Sequence, residues 1–456
     1  MEKKSQQIIL GILGGILLLG PVIYINSTQS DLPVKQISYI LIPVLLVLTF
    51  INTDLALMIL ILSMLLSPEI NISDIPKRSV VVRVDDILLF IVFFSWLGKM
   101  GVNKQLGLLR HTAINKPIIL YILVCVGASA LGIARGTIRS PRLCIFVILK
   151  YIEYFMLFFM VTNNIRSKEQ VKVFTFFLLL TCIIVSMIGV SQIGNMDRTT
   201  APFESEGGEP NTFGGYLVLL TAVSAGVFIH ARRLPWKILA AVTAVAAVPP
   251  FLFSLSRGSY LAFIVAFLIL VLLSKRFKPV LLLILVAGAL LVPLVLPDKV
   301  TERITETFTP GKLYRPLGQE IYLDESASAR VETWEKIIHV WKKRPVLGYG
   351  VSGVGVVDSQ YPRVLGETGL VGFIAFLFML YSVLKNSWKS LISVEQDWEQ
   401  GIIIGFIAGF MGLVAHATSA NTFIVRIMEP FWFFTAIVVC LPELRKDNNT
   451  EEAGSI

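Results

Sequence analysis

Charge is scarce in this chain. Only 16% of its 456 residues are Asp, Glu, Lys or Arg, against 55% hydrophobic, whereas soluble domains carry about 25% charged residues. Mean hydropathy is +0.75. This balance excludes a soluble globular domain. It also excludes a disordered chain, which needs low hydrophobicity. Cysteine is sparse as well: Cys125, Cys144, Cys182 and Cys440 each lie inside an apolar run. Their spacing fits neither a disulfide framework nor a metal site. Histidine is as rare, so each of the four can be weighed singly.

Long apolar runs are abundant. A spanning helix needs about 20 mostly apolar residues, and candidate runs follow one another from 9–25 to 423–441. The run 38–67 is broken by Asn52, Thr53 and Asp54. It reads as two short helices, 38–52 and 55–67, meeting in a tight turn. The expected fold is an all-α polytopic membrane protein of about 12–14 transmembrane helices. Residues 1–296 hold the N-terminal spans, 297–363 a single long hydrophilic loop, 364–441 the C-terminal spans and 442–456 a tail.

The formal charge of +9 is read through its distribution. With the N-terminus inside, every inner segment except the turn near residue 53 is basic, for example Arg166, Lys168 and Lys172, or Arg232, Arg233 and Lys237. That is the positive-inside pattern. It implies a multi-pass protein with both termini cytoplasmic and the long loop extracytoplasmic. The basic balance therefore points to membrane lipids as partners, and not to nucleic acid.

Some cations fall on the outer face, against that pattern. Arg135, Arg139 and Arg142 share one short loop, and Lys77, Arg78 and Arg83 another. Arg257 stands in Ser256-Arg257-Gly258-Ser259-Tyr260 at a helix start, and Arg426 in the outer part of the last span. Each could snorkel to lipid phosphates. Together they could instead line a pocket for an anion, because guanidinium groups match phosphate oxygens with two parallel hydrogen bonds. A helix N-terminus beside Arg257 would add backbone N–H donors. Lys150 and Glu153 sit three residues apart within a span, where a structural pair competes with a catalytic one.

Within the long loop, Val331, Trp334, Ile338 and Trp341 recur at helical spacing, so 326–343 reads as an amphipathic helix. Arg344-Pro345-Val346-Leu347-Gly348-Tyr349-Gly350 ends it, and Glu367-Thr368-Gly369-Leu370-Val371-Gly372 opens the next span. Glu367 at a helix start also fits a plain capping role.

These residues, in this order, resemble the O-antigen ligase and Wzy-type O-antigen polymerase superfamily. The resemblance rests on Ser256-Arg257-Gly258, Arg330 with Trp334, the Pro345 to Gly350 turn and the Glu367 to Gly372 segment. Ahead of them stand Arg198-Thr199-Thr200-Ala201-Pro202-Phe203 and Pro210-Asn211-Thr212-Phe213-Gly214. It covers about 195–385. It implies a GT-C-like bundle in a bacterial cytoplasmic (inner) membrane and a glycosyltransferase for polysaccharide of the cell envelope. The implied donor is an undecaprenyl-diphosphate-linked glycan. The acceptor is lipid A-core, another lipid-linked repeat unit or a protein. No cofactor and no obligatory metal is implied, and a flippase and a chain-length regulator are candidate partners. By the motif match Arg257 and Arg330 would hold the diphosphate, with Arg426 and Arg139 added by their outer placement. Ligases of the family often carry a histidine where this chain reads Asp358-Ser359-Gln360-Tyr361, and no histidine falls between 340 and 415. That favours a polymerase. Candidates for the proton-accepting group are Asp358, Glu367 and His416. A transporter or flippase for a lipid-linked anionic substrate, and a non-enzymatic envelope scaffold, are the competing readings.

Overall fold

The computed structural model describes residues 47–67, 69–75, 78–102, 109–202, 208–306, 312–314, 321–323 and 325–444. The expected span at 9–25 and residues 38–46 of the expected helix 38–52 lie outside the described residues. At the expected break, 47–51 is helical and Asn52 departs to φ −138°. Its side chain then accepts from the N–H of Leu55 at 3.1 Å, capping α1 (Thr53–Ser63). An Asn in this position satisfies a helix donor that has no intrahelical partner.

A hairpin follows where a short loop is expected. β1 (Glu69–Ile75) pairs antiparallel with β2 (Arg78–Arg83), from Glu69 opposite Arg83 to Ile75 opposite Arg78. The chain then runs through α2 (Val84–Val102), α3 (Asn115–Ala134), α4 (Pro141–Asn164), α5 (Lys168–Gln192), α6 (Pro210–His230), α7 (Leu234–Phe253) and α8 (Arg257–Leu273). After these come α9 (Lys278–Val295), the short α10 (Asp298–Thr305), a second hairpin of β3 (Lys312–Tyr314) and β4 (Ile321–Leu323), and α11 (Glu325–Lys342). α12 (Gln360–Ser393), α13 (Asp397–His416) and α14 (Met428–Cys440) complete the order. Strand structure among the described residues is confined to these two hairpins.

Among the described residues seven helices, α3 to α7 with α12 and α13, are long and apolar enough to cross a membrane. Shorter apolar helices accompany them, among them α1, α8 and α14. The protein is therefore a multi-pass membrane bundle. Alternate crossings put the α3–α4, α5–α6 and α7–α8 connections on one face, together with the start of α12 and the end of α13. The starts of the helices are written in short polar caps. Ser140, Ser167 and Ser256 each accept a backbone N–H from the first turn.

The interior is aromatic and close-packed. Trp432 of α14 meets Phe155 and Phe158 of α4 edge-on, with ring centroids 5.0 and 5.7 Å apart. α6 crosses α13 closely, and glycine makes this possible. A Cβ on Gly405 would lie 2.6 Å from the carbonyl oxygen of Ala222, and one on Gly226 would lie 2.2 Å from that of Gly401. Small residues at four-residue spacing let two backbones approach this closely in a membrane.

α12 is broken. Gly369 takes φ 65° inside the helix, a left-handed conformation that glycine adopts without steric cost. The loop after α11 is stitched into this break by main-chain bonds. Tyr349 N–H donates to Gly366 O at 3.1 Å and Gly350 N–H to Glu367 O at 2.7 Å. In the other direction Leu370 N–H donates to Pro345 O at 2.8 Å and Val371 N–H to Val346 O at 3.2 Å.

Candidate functional site

The site is built on the corner between α7 and α8. Pro249 and Pro250 lie in the last turns of α7, and Leu255 takes φ 49° at the corner itself. A non-glycine residue held there is uncommon. Ser256 then starts α8. The segment before α6 ties itself to this corner. Arg198 donates from Nε to Ser254 O at 2.9 Å and from Nη2 to Leu255 O at 3.2 Å. Thr199 donates from Oγ1 to Pro250 O at 2.6 Å, and Tyr260 Oη donates to Leu252 O.

Around this corner opens a cavity of about 240 Å³. Four arginines line it: Arg198, Arg257, Arg303 and Arg330. They come from the pre-α6 segment, α8, α10 and α11. Among the described residues Asp358 is the one carboxylate residue lining it, and it is exposed; Arg303 also pairs with Glu306 at 2.6 Å. Asn211, Ser256 and Ser359 add polar groups to the wall. Half-burial, then repulsion from Arg303, Arg257 and Arg330, holds Arg198 below the ordinary arginine range. Like charges gathered this way favour an anion that neutralises them. The N-terminus of α8 faces the same space, so its backbone adds to the positive potential.

A chain of buried hydroxyls lies beneath the cavity floor. Ser256 Oγ donates to Asn211 Oδ1 at 2.7 Å and accepts from Ser259 N–H at 3.2 Å. The two serine hydroxyls are 2.7 Å apart. Ser259 Oγ is 3.2 Å from His416 Nε2, and His416 Nδ1 is 2.8 Å from Thr422 Oγ1. Asn211 Oδ1 can only accept, so Ser256 spends its proton there and Ser259 donates to Ser256. In that arrangement His416 carries its hydrogen on Nε2 and Nδ1 accepts from Thr422 Oγ1, which also lies 3.4 Å from Ala420 O. Both ring nitrogens are used, and His416 is 1% exposed. Gly258 permits the close approach of the α13 end: a Cβ there would lie 2.1 Å from Ser419 Oγ.

The structure brings Arg257, Arg330 and Asp358 together on one cavity and sets His416 one layer below them. The other candidates lie elsewhere. Glu367 is buried within α12, accepting from Arg363 Nε at 3.2 Å and from Ser352 N–H at 2.8 Å. Arg426 is buried in the connection between α13 and α14. Arg139 is exposed in the α3–α4 connection and does not line the cavity. Two arginines of the cavity, Arg198 and Arg303, are not among the sequence-derived site residues. Arg198 is the lone cation of an acidic loop, which was its available signal.

Lys150 pairs with Asp86 and, at 3.1 Å, with Glu153. Carboxylate oxygens of Asp85, Asp86 and Glu429 lie within 4.8 Å of one another beside it. Three buried carboxylates are the ligand type for a hard cation. Asp86, however, already uses one oxygen on Lys150 and the other on the N–H of Arg83 at 2.9 Å. The group fits a charge network inside the bundle better than a metal centre.

Residues 250–377 match the family model described as O-Antigen ligase. A search of curated proteins finds no match. The matched segment supplies Arg257, Arg303, Arg330 and Asp358.

Proposed function

We propose, on the premise of an O-antigen ligase domain at residues 250–377, that this membrane protein transfers a glycan from a polyprenyl-diphosphate-linked donor to a sugar hydroxyl. The observation that carries this reading is the convergence of Arg198, Arg257, Arg303 and Arg330 on one cavity at the start of a helix. In this reading the cavity faces the extracytoplasmic side of a bundle of about 12–14 spans, with both termini cytoplasmic.

The chemistry follows from the bonds. The acceptor hydroxyl oxygen bonds to the anomeric carbon, the bond from that carbon to the diphosphate oxygen breaks, and the hydroxyl proton is lost. Negative charge grows on the departing diphosphate, and preorganised guanidinium groups stabilise it there. Asp358 stands in the same cavity and takes the proton. His416, with both nitrogens engaged, is a positioning residue: it holds Ser259 and, through it, Ser256 and the first turn of α8.

Polymerisation of a lipid-linked repeat unit is the first reading. Ligation to a separate lipid or protein acceptor is the second, and the description of the matched family favours it. Purified full-length protein, given undecaprenyl-diphosphate oligosaccharide alone and then with an acceptor, separates them. A product ladder from donor alone establishes polymerisation. One shifted band only with acceptor establishes ligation. Binding of the donor without any transfer, across native glycans, would overturn the transferase reading in favour of transport.

A further inference from the structure

A second cationic hollow lies on the same face of the bundle, at the other end of α11. It encloses about 400 Å³ and is lined by Arg135, Lys343, Arg344 and the backbone from Pro345 to Gly348. Among the described residues no carboxylate lines it. Cations at helix C-termini are common because they offset the dipole. That accounts for Arg135 at the end of α3 and for Arg344 beyond the end of α11 separately, but not for their meeting around one hollow.

The hollow is firmly built. Thr137 of the α3–α4 connection donates to Gly132 O at 3.0 Å and to Tyr349 O at 2.8 Å. Val351 N–H donates to Ser129 Oγ at 3.0 Å. These bonds lock the end of α3 to the loop that carries Arg344. Arg344 lies over the Tyr349 ring, 4.8 Å from its centroid, and its Nη1 is shielded from solvent with no hydrogen-bond partner among the described residues. Arg330 and Arg344 are 14 positions apart, which along a helix is about 20 Å at 1.5 Å per residue.

We infer that this hollow binds the phosphate of a second lipid-anchored substrate, the acceptor, while the four-arginine cavity binds the donor. This rests on the transferase reading above. Its chemistry requires the separation: the acceptor's reacting hydroxyl must reach the donor's anomeric carbon, while its own phosphate sits a glycan's length away. One helix with a cationic site at each end holds both groups at a fixed spacing.

Calorimetric titration of the full-length protein in neutral detergent with farnesyl diphosphate tests this directly. Wild type is expected to show two sites. Lys343→Gln with Arg344→Gln removes one, and Arg257→Gln removes the other. Arg135→Gln changes an exposed side chain at a helix end and weakens the same site as the double variant by about tenfold, the loss of one charge-assisted hydrogen bond. Because it leaves the Arg344–Tyr349 contact in place, it separates lost binding from lost folding. In the transfer assay the double variant raises the acceptor KM and leaves the donor KM unchanged.

Two sites retained in both the double variant and Arg135→Gln would overturn the inference. So would equal competition by phosphatidylglycerol vesicles, which would mark a bilayer-lipid site. If Arg257→Gln keeps both sites while the hollow's variants lose one, the donor assignment fails and this one stands. The converse result overturns this one and leaves the donor assignment intact.

Discussion

Replacing Arg257 by glutamine tests the centre of the mechanism. The substitution keeps a polar side chain of similar length and removes one of four positive charges around the cavity. A hydrogen bond to a charged group contributes about 1.5–3 kcal/mol, and a guanidinium presents two in parallel to a phosphate. Arg198, Arg303 and Arg330 remain and retain part of the field. The net loss is therefore set at about 3 kcal/mol, which lowers kcat/KM by about two orders of magnitude. The loss should appear in both KM and kcat, because the guanidinium binds the diphosphate before transfer and stabilises the charge it gains as it leaves. Arg257→Lys should recover part of it, since a point charge survives without the forked geometry. The assay is timed product formation on a gel from a defined lipid-linked donor, with extracted protein matched between variants. Arg257→Gln within about threefold of wild-type kcat/KM, less than 1 kcal/mol, would refute the assignment of this cavity to the leaving diphosphate.

Three further expectations concern the surrounding structure. Asp358→Asn should lower kcat by about 10²–10⁴ with donor binding retained; an unchanged rate would remove Asp358 as the proton acceptor. Glu367→Ala leaves the buried Arg363 without its carboxylate, a change that costs about 3–5 kcal/mol, so thermal unfolding in detergent should come markedly earlier. Glu367→Gln, which can still accept from Ser352 N–H, should fall between the two, and an unaltered unfolding temperature in Glu367→Ala would contradict the pairing. Gly405→Leu has no room against Ala222 and Val223 of α6 and should lower the yield of folded monomer in detergent chromatography far more than Gly127→Leu in α3, where an added Cβ meets nothing within 4 Å. Equal yields would show that the α6–α13 crossing is looser than described.

The helices were legible because membrane spans are written as continuous apolar runs, and Asn52 marked its break through its own capping chemistry. Arg257, Arg330 and Asp358 were legible for different reasons. Arg257 breaks the charge asymmetry at a helix start, Arg330 is singled out by the motif it forms with Trp334, and Asp358 stands just ahead of the Glu367 to Gly372 segment. Arg198 stands out in the sequence only as the lone cation of an acidic loop, because its role depends on bonds to Ser254 and Leu255, 56 and 57 residues on. Arg303 sits in a polar stretch where an arginine breaks no rule. Glu367 lies apart from the cavity. A carboxylate beside glycines reads as chemistry, but here it is spent on Arg363 and the Ser352 backbone. The β1–β2 hairpin was missed because its short polar strands lie between apolar runs that dominate the reading.

The stitching of the Pro345–Gly350 loop into the break of α12 uses main-chain atoms alone. A fastening of that kind is indifferent to most side chains. Val346 and Leu347 could be exchanged for other residues and every bond would remain. What it cannot lose is backbone handedness: Gly348, Gly350 and Gly369 all hold positive φ, at 63°, 87° and 65°, and added Cβ atoms at Gly348 and Gly369 would lie 2.5 and 2.3 Å from carbonyl oxygens. Lineages diverging from this chain would thus be free to rewrite the chemistry of the loop while preserving its glycine intervals. Those intervals, more than any reactive side chain, would be the durable signature by which distant kin of this architecture could be found.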